Sequence, residues 1–371
     1  MQRLDAVVIG AGPAGAASAH RLASAGASVL LVDKARFPRD KPCGGGVTLR
    51  AARELPFSIV PVVEDVVDRF RLRNAYGIEF ERRSDEPLCL MTQRRRLDHF
   101  LALKAAEAGA EFRAGARADL RDGAVHVDSV RIDADMIVGA DGVNGVTARA
   151  LGRNHGVGVA LEGNLPYAQC DRDTYAGKLV LELGVVPGGY GWVFPKGDHV
   201  NFGVGGWEAE GPRLRAHLER LCEAHGIRSS ELTDVRGYRL PFRRADSPLR
   251  RDNVLLVGDA AGLVDPLSGD GMFEAFVSAR LASAAILSGD LDAYAPALER
   301  ELGPLHGASW AMKYAVDRFP RLSFALARLP VTWPVVTRIV RGELRDPAEA
   351  RGLARLPLKT LNRLGRTAAP A

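Results

Sequence analysis

The sequence predicts an α/β protein: a Rossmann-like parallel sheet, an inserted antiparallel β-rich domain, and a C-terminal helical region. Three observations carry this. A strand, a glycine loop, a helix and a second strand fill Leu4 to Asp33. Apolar runs of the kind buried on both faces return at 135–138 and 253–257, with a β-rich stretch between them. Helices dominate from Gly271 onward. One sheet interrupted by a second domain explains this order better than two consecutive domains. The expected division assigns 1–75, 90–155 and 246–290 to a nucleotide-binding domain. It assigns 76–89 and 156–245 to a substrate domain, and 291–371 to the helical region.

The first element is the most informative. Ala6-Val7-Val8-Ile9 has the length and composition of a doubly buried strand. Gly10-Ala11-Gly12-Pro13-Ala14-Gly15 follows, and an Ala-rich run, Ala16 to Ala25, reads as a helix closed by Gly26. Gly10 permits a tight turn, Gly12 lets backbone approach a pyrophosphate, and Gly15 lets helix and strand pack closely. Ala14 lies in the first turn, where unpaired N–H groups and the positive dipole end favour a phosphate. Val29 to Val32 is the second strand. Asp33, beside Lys34, lies 18 residues past Gly15, where it can accept hydrogen bonds from a ribose. An acid there fits FAD or NAD better than NADP.

Bulk properties exclude several classes. With 371 residues, 47% apolar and 26% charged, the chain can bury a large core in two domains. The four cysteines, Cys43, Cys89, Cys170 and Cys222, show no paired spacing, which argues against a disulfide framework or a metal site and suits a reducing cytoplasm. The first strand begins at the N-terminus, leaving no room for a signal peptide. Trp310 to Arg366 holds twelve Lys/Arg against four Asp/Glu, a local +8 in a chain of net +5, so the remainder carries about −3. Such a tail suits an anionic lipid surface better than nucleic acid, for which no module is visible.

Between these landmarks, 36–46 is a Gly/Pro loop containing Lys41-Pro42-Cys43-Gly44-Gly45-Gly46, and 48–55 is a short helix. Strands are expected within 70–83, a helix over 91–109 with Leu97, Phe100, Leu101, Leu103 and Ala105 as its apolar stripe, and a meander over 110–132 turning at Asp122-Gly123. The region 164–206 is β-rich, 212–224 reads as a helix, and the last residues read as a frayed end.

Three apolar strands end in glycine-bearing polar turns: Gly10 to Gly15, Asp141-Gly142 and Gly258-Asp259. In an open parallel sheet, ligands bind beyond the carboxyl ends of strands. The last turn extends through Asp265-Pro266-Leu267-Ser268-Gly269-Asp270-Gly271-Met272 into a helix. With these motifs in place, the sequence resembles the FAD-dependent oxidoreductases of the p-hydroxybenzoate hydroxylase fold. The resemblance implies that Asp259 binds the ribityl or pyrophosphate portion of FAD. It implies that Pro266, Gly269, Asp270, Gly271 and Met272 bring backbone to the isoalloxazine, and that Arg94 is the cofactor-binding arginine. On residues alone Arg94 is equally one of three solvated arginines.

Two further stretches, Lys41 to Gly46 and Gly188-Gly-Tyr-Gly-Trp-Val-Phe-Pro-Lys196 followed by Asn201 to Gly205, are similar to the geranylgeranyl reductases. These flavoenzymes saturate isoprenoid double bonds of prenyl lipids and prenyl diphosphates. The implied cofactors are FAD and NAD(P)H or another electron donor. Tyr190, Trp192 and Phe194 alternate, so they share one strand face that walls either an apolar tunnel or an ordinary sheet core. Tyr190 and Trp192 are therefore catalytic candidates. Cys43 is a candidate proton donor or positioning group, or a small buried residue in a loop over the flavin, and Cys43, Gly44 and Gly45 are candidate cofactor contacts. Lys41 and Lys196 could meet an anionic head group. An aromatic monooxygenase on the same fold stays open. A halogenase is disfavoured, because Tyr190-Gly-Trp192 holds one of the two tryptophans its motif requires. Pro320, Pro330, Pro334 and Arg328 break the tail, so it cannot span a membrane. It forms either amphipathic helices on the inner face of a membrane or helices that cap the core.

Overall fold

The computed structural model describes residues 3–121, 123–152, 154–344, 349 and 352–368. The turn expected at Asp122-Gly123 and the frayed end fall partly or wholly outside them. The chain runs β1 (Leu4–Ile9), α1 (Pro13–Ser24), β2 (Val29–Asp33), β3 (Gly46–Thr48), α2 (Leu49–Ala52), β4 (Asp65–Val67), β5 (Arg69–Asn74) and β6 (Glu79–Arg83). It continues with β7 (Cys89–Met91), α3 (Arg94–Glu107), β8 (Glu111–Ala114), β9 (Ala118–Arg121), β10 (Ala124–Val127), β11 (Val130–Ile132), β12 (Ala134–Gly139) and α4 (Val146–Ala150).

The second half holds β13 (His155–Pro166), β14 (Lys178–Leu183), β15 (Tyr190–Pro195), β16 (His199–Trp207), α5 (Leu214–Ala224), β17 (Thr233–Arg243), β18 (Arg250–Arg251) and β19 (Val254–Leu256). Five helices follow: α6 (Met272–Ser288), α7 (Tyr294–Arg318), α8 (Pro320–Ala327), α9 (Trp333–Val340) and α10 (Arg355–Ala368).

The interrupted sheet is as expected. β19, β12, β1, β2 and β8 lie side by side, all pairs parallel, with β18 added antiparallel at one edge. Ala6, Val7, Val8 and Leu31 have no exposed surface, because α1 with α3 and α6 covers the sheet. The second sheet runs β17-β13-β16-β15-β14-β5-β6. Its outer face packs Val193, Phe202 and Val204 against Leu218 and Leu221 of α5.

Several boundaries move. The division expected at 75/76 falls in the hairpin between β5 and β6, and both strands belong to the seven-stranded sheet. The parallel pairing of β5 with β14 draws it there, a long-range choice its own residues do not encode. α1 starts at Pro13 rather than Ala16, because proline's fixed φ suits a first helical turn. Met91 ends β7 rather than opening a helix, and α3 starts at Arg94. Leu97, Leu101 and Ala105 are buried as expected, whereas Leu103 lies on the outer face of α3, 45% exposed. The helix expected from Pro212 begins as 3₁₀ and becomes α at Leu214. The eleven-residue β17 carries no apolar run of its own and was not individually predicted.

Among the described residues no helix is long and apolar enough to cross a membrane. α8 and α9 pack on the second sheet: Phe324 meets Phe80 at 5.5 Å, and Trp333 stacks on Phe70 at 6.0 Å.

Candidate active site

β1, β12 and β19 are neighbours, so the three glycine-bearing strand ends meet along one sheet edge. They open onto a cavity of about 1030 Å³, at the upper end of the roughly 300–1,000 Å³ usual for ligand sites. Gly10, Gly12, Ala14, Asp33, Lys34, Asp141, Gly142 and Asp259 line one part of it. Gly15 and Gly258 do not reach the wall. A Cβ on Gly15 would lie 1.8 Å from the Gly10 carbonyl, and one on Gly258 would lie 2.9 Å from Ala14 Cβ. These two glycines let α1 and α6 approach the sheet and act behind the surface.

Two guanidinium groups border the cradle at Gly12. Arg94 grips Asp98 with two bonds of 2.7 and 2.8 Å, and Arg39 reaches the same carboxylate at 2.8 Å. Both thus share one buried carboxylate, and Arg39 also lies 3.9 Å from Asp33 Oδ2. A Cβ on Gly12 would sit 3.5 Å from Arg39 and 3.8 Å from Arg94. No side chain caps α1, so its N-terminal N–H groups are left for a ligand. This donor set fits a pyrophosphate. The solvated reading of Arg94 is excluded by its 5% exposure. Its partner Asp98, one helical turn on, was a readable signal, whereas Arg39 sits in a loop without one.

The acids divide their work. Asp33 Oδ2 accepts from the Ala11 N–H at 2.8 Å and Oδ1 from the Ala35 N–H at 2.9 Å, which fixes the carboxylate at the end of β2. Asp141 accepts the Thr147 N–H and hydroxyl at the start of α4, so it offers the cavity mainly backbone. Asp259 accepts from Lys41 at 3.1 Å and from the Tyr238 hydroxyl at 2.8 Å. Burial alone would raise its pKa, but Lys41 and Tyr238 hold the carboxyl below its ordinary value. Lys41 therefore meets a carboxylate rather than an open anion site, and Tyr238, delivered by β17, was missed because that strand was not foreseen.

Pro266, Gly269, Asp270, Gly271 and Met272 form the next section of wall. Asp270 Oδ1 takes the Met272 N–H at 2.8 Å, while Asp270 Oδ2 and the Arg50 Nε are buried without hydrogen bonds, the two side chains facing each other as a 3.9 Å ion pair. One buried acceptor and one buried donor are thus left for a polar ligand edge at this wall. The residues present therefore fit FAD along its length.

Opposite, Tyr190, Trp192 and Phe194 face the cavity, while Gly191, Val193 and Pro195 point into the second core. The Trp192 indole donates to Asn201 Oδ1 at 2.8 Å and lies across Gly203, where a Cβ would be 2.0 Å from its ring. The Tyr190 hydroxyl donates to the Ser268 carbonyl, and burial raises its pKa, so its proton is engaged. Cys43, Gly44 and Gly45 pass over this wall; a Cβ on Gly44 would touch Phe194 at 2.9 Å. Glu162 Oε1 accepts the Cys43 N–H at 2.7 Å, and Lys196 Nζ donates to the Cys43 carbonyl at 2.8 Å. The Cys43 thiol accepts from the Gly45 N–H at 3.4 Å.

Leu305, Ala308, Met312, Val336, Ile339 and Val340, from α7 and α9, roof the far end of the cavity. The buried Lys313 also lies there. Its ammonium donates to the Gly188 carbonyl and sits 4.4 Å over the Trp207 ring. Burial lowers its pKa to about 8.

A parallel sheet whose strand ends cradle a dinucleotide, faced by a β-rich wall and an apolar chamber, defines an FAD-dependent oxidoreductase. The FAD binding domain family matches residues 3–165. The chain is 34% identical to the menaquinone reductase of Mycolicibacterium smegmatis over 365 residues, covering 91% of this chain and 88% of that one. It is 31% identical to digeranylgeranylglycerophospholipid reductase 2 of Methanopyrus kandleri over 312 residues, 75% of each chain. A crystal structure of a geranylgeranyl bacteriochlorophyll reductase-like protein from Thermoplasma acidophilum superposes with a TM-score of 0.80 at 22% identity, over 97% of this chain and all of that one. The chain belongs to the geranylgeranyl reductase family of FAD-dependent oxidoreductases.

Proposed function

We propose that the protein saturates isoprenoid C=C bonds of a prenyl lipid or prenyl diphosphate. The observation that carries this reading is the chamber between the Tyr190–Trp192–Phe194 wall and the apolar roof of α7 and α9. A linear hydrocarbon needs a dry, shaped slot of this kind, and a reduced cofactor needs water kept away. Bound reduced FAD supplies a hydride; NAD(P)H or another donor replenishes it.

The chain's own residues then divide the remaining tasks. The aromatic wall holds the alkene flat, with Trp192 fixed by Asn201 and Tyr190 by Ser268. The Cys43 thiol, at the crossing of glycine loop and wall, is the candidate donor of the second hydrogen as a proton. The relatives' names support the substrate class, a prenylated lipid, without selecting one member. Exposed Phe319, Leu322, Leu329 and Val331 lie in sequence among Arg321 and Arg328 on α8 and at its two ends, just before the helix that supplies Val336 and Ile339 to the chamber. This apolar and basic rim is the proposed point of contact with an anionic membrane surface.

The test is anaerobic reduction of the FAD-loaded protein followed by geranylgeranyl-bearing substrates. Flavin reoxidation with a gain of two mass units per bond is expected. Rapid oxygen consumption with a hydroxylated product would instead establish the monooxygenase alternative. A Cys43→Ser variant with unchanged turnover would remove the thiol from the chemistry.

A further inference from the structure

The most anomalous polar groups in the protein lie directly behind the Asp265–Met272 wall. Glu274, in the first turn of α6, has no exposed surface, and neither of its carboxylate oxygens has a hydrogen-bond partner. His306 Nε2, from α7, faces it at 3.8 Å, longer than a hydrogen bond. Ligand atoms of Asp265, Glu274 and His306 lie within 4.8 Å of one another. A buried carboxylate without donors costs several kcal/mol if ionised, and natural cores rarely keep such a group without a function.

Asp265 is differently placed. Its Oδ1 accepts from Leu267 N, Ser268 N and the Ser268 hydroxyl, and its Oδ2 from the Ser309 hydroxyl. Both its oxygens are thus satisfied by donors, and both it and Ser309 reach the cavity. Glu274 has no such support. The charged groups that bear on the pair are Asp265 and Asp270 from the loop and Arg50 from α2, which itself lies 3.9 Å from Asp270. Arg50, and Lys313 acting on Asp265, are two cations among three carboxylates, an excess of one negative charge that a proton can remove.

We propose that Glu274 and His306 form a proton-loading pair that takes up one proton when the cofactor is reduced and releases it on reoxidation. The geometry gives the direction. The N-terminus of α6, Gly271–Met272, forms the cavity wall, and its positive end favours negative charge on a bound ligand. An ionised Glu274 in that first turn cancels part of this attraction, whereas a protonated one leaves it intact. Negative charge arriving at the wall therefore raises the proton affinity of the pair. In balance, a two-electron donor delivers two electrons accompanied by one proton to the cofactor, a hydride equivalent, and one further proton from solvent binds the pair. When the two electrons leave as hydride, the pair returns its proton toward the cavity through Asp265 and Ser309. Burial already raises Glu274 to about 7, and although burial opposes it, the Glu274 carboxylate raises His306 above its ordinary value. This inference rests on FAD binding alone and holds for any substrate.

The test uses FAD-loaded, substrate-free protein reduced stepwise with dithionite. Across pH 6 to 8.5 the midpoint potential of the wild type should fall more steeply with pH than that of Glu274→Gln, by the equivalent of up to one proton per two electrons. In the wild type alone, the reduced-minus-oxidised infrared spectrum should gain a protonated carboxylic acid band that shifts in D₂O. That arm decides the matter even if the variant folds poorly. Identical pH slopes, or no carboxylic acid band, would overturn the proposal. So would retention of one equivalent of a divalent metal by the wild type and its loss in Glu274→Gln, since the cluster would then be a metal site.

Discussion

The ammonium of Lys196 donates a 2.8 Å hydrogen bond to the backbone carbonyl of Cys43, so the substrate sheet holds the cofactor loop by its main chain. Glu162 takes the N–H of the same residue. The device recurs at Gly188, whose carbonyl accepts from Lys313 and whose N–H donates to Asp317, one turn later on α7. Each clamp ties a glycine-bearing segment of one layer to a charged pair of the next.

The Cys43 clamp predicts that position and chemistry separate on mutation. Lys196→Met, at a site 5% exposed, removes a charge-assisted bond and strands a carbonyl, a loss of about 2 kcal/mol. Cys43→Ser leaves both main-chain bonds and should lose under about 1 kcal/mol. Urea denaturation of the FAD-loaded variants measures both; equal losses would refute the clamp.

Gly203→Ala tests the wall. A methyl 2.0 Å from the Trp192 ring must push the indole into the chamber. Because Gly203 lies on the second sheet, FAD affinity should stay within about twofold while KM for a prenyl substrate rises at least about tenfold. A variant that loses both in proportion would place Trp192 against the cofactor instead.

Asp259→Asn leaves the Lys41 ammonium without its counter-charge. Losing one partner of a fully buried pair costs roughly 3–5 kcal/mol, and the partial exposure here reduces that to about 2–3. The Asp259 pKa is depressed in the folded state, so its stabilisation is complete above the unfolded value near 3.8 and is lost as pH falls through the folded one. Acid denaturation of the variant should therefore be shallower than that of the wild type. Parallel curves would show that the pair is not coupled.

Lys313 makes the opposite prediction in alkali. Its folded pKa of about 8 lies below the usual 10.5, so between these values the unfolded chain binds more protons. Stability then rises with pH across that window as the burden of a buried ammonium disappears. Urea midpoints between pH 8 and 10 should climb in the wild type relative to Lys313→Met. A flat difference would mean that the ammonium is already accommodated by Trp207 and Gly188.

Much of the cofactor half was legible because its signals are local. Gly15 meets a steric demand from Gly10 within the same loop, Gly10 takes a positive φ there, and Val254 to Leu256 announce a buried strand by composition. The second half of the site was less legible. Tyr238 stands on a strand with no apolar run, Arg39 on a loop with no motif, and Glu274 in a helix that reads as ordinary core. Leu103 shows the converse error: an apolar residue on a helical stripe that the neighbouring layers never cover.

From residue order alone came the interrupted parallel sheet, the dinucleotide cradle and the aromatic strand face, because each depends on contacts within a few residues or on strand composition. Only tertiary structure decided which charges neutralise one another and which remain. Arg39 joins Arg94 on Asp98 from a distant loop, Lys41 is spent on Asp259, and Lys313 reaches Gly188 from 125 positions away. Electrostatic pairing acts through space at a few ångströms and is indifferent to chain separation, so no local pattern records it.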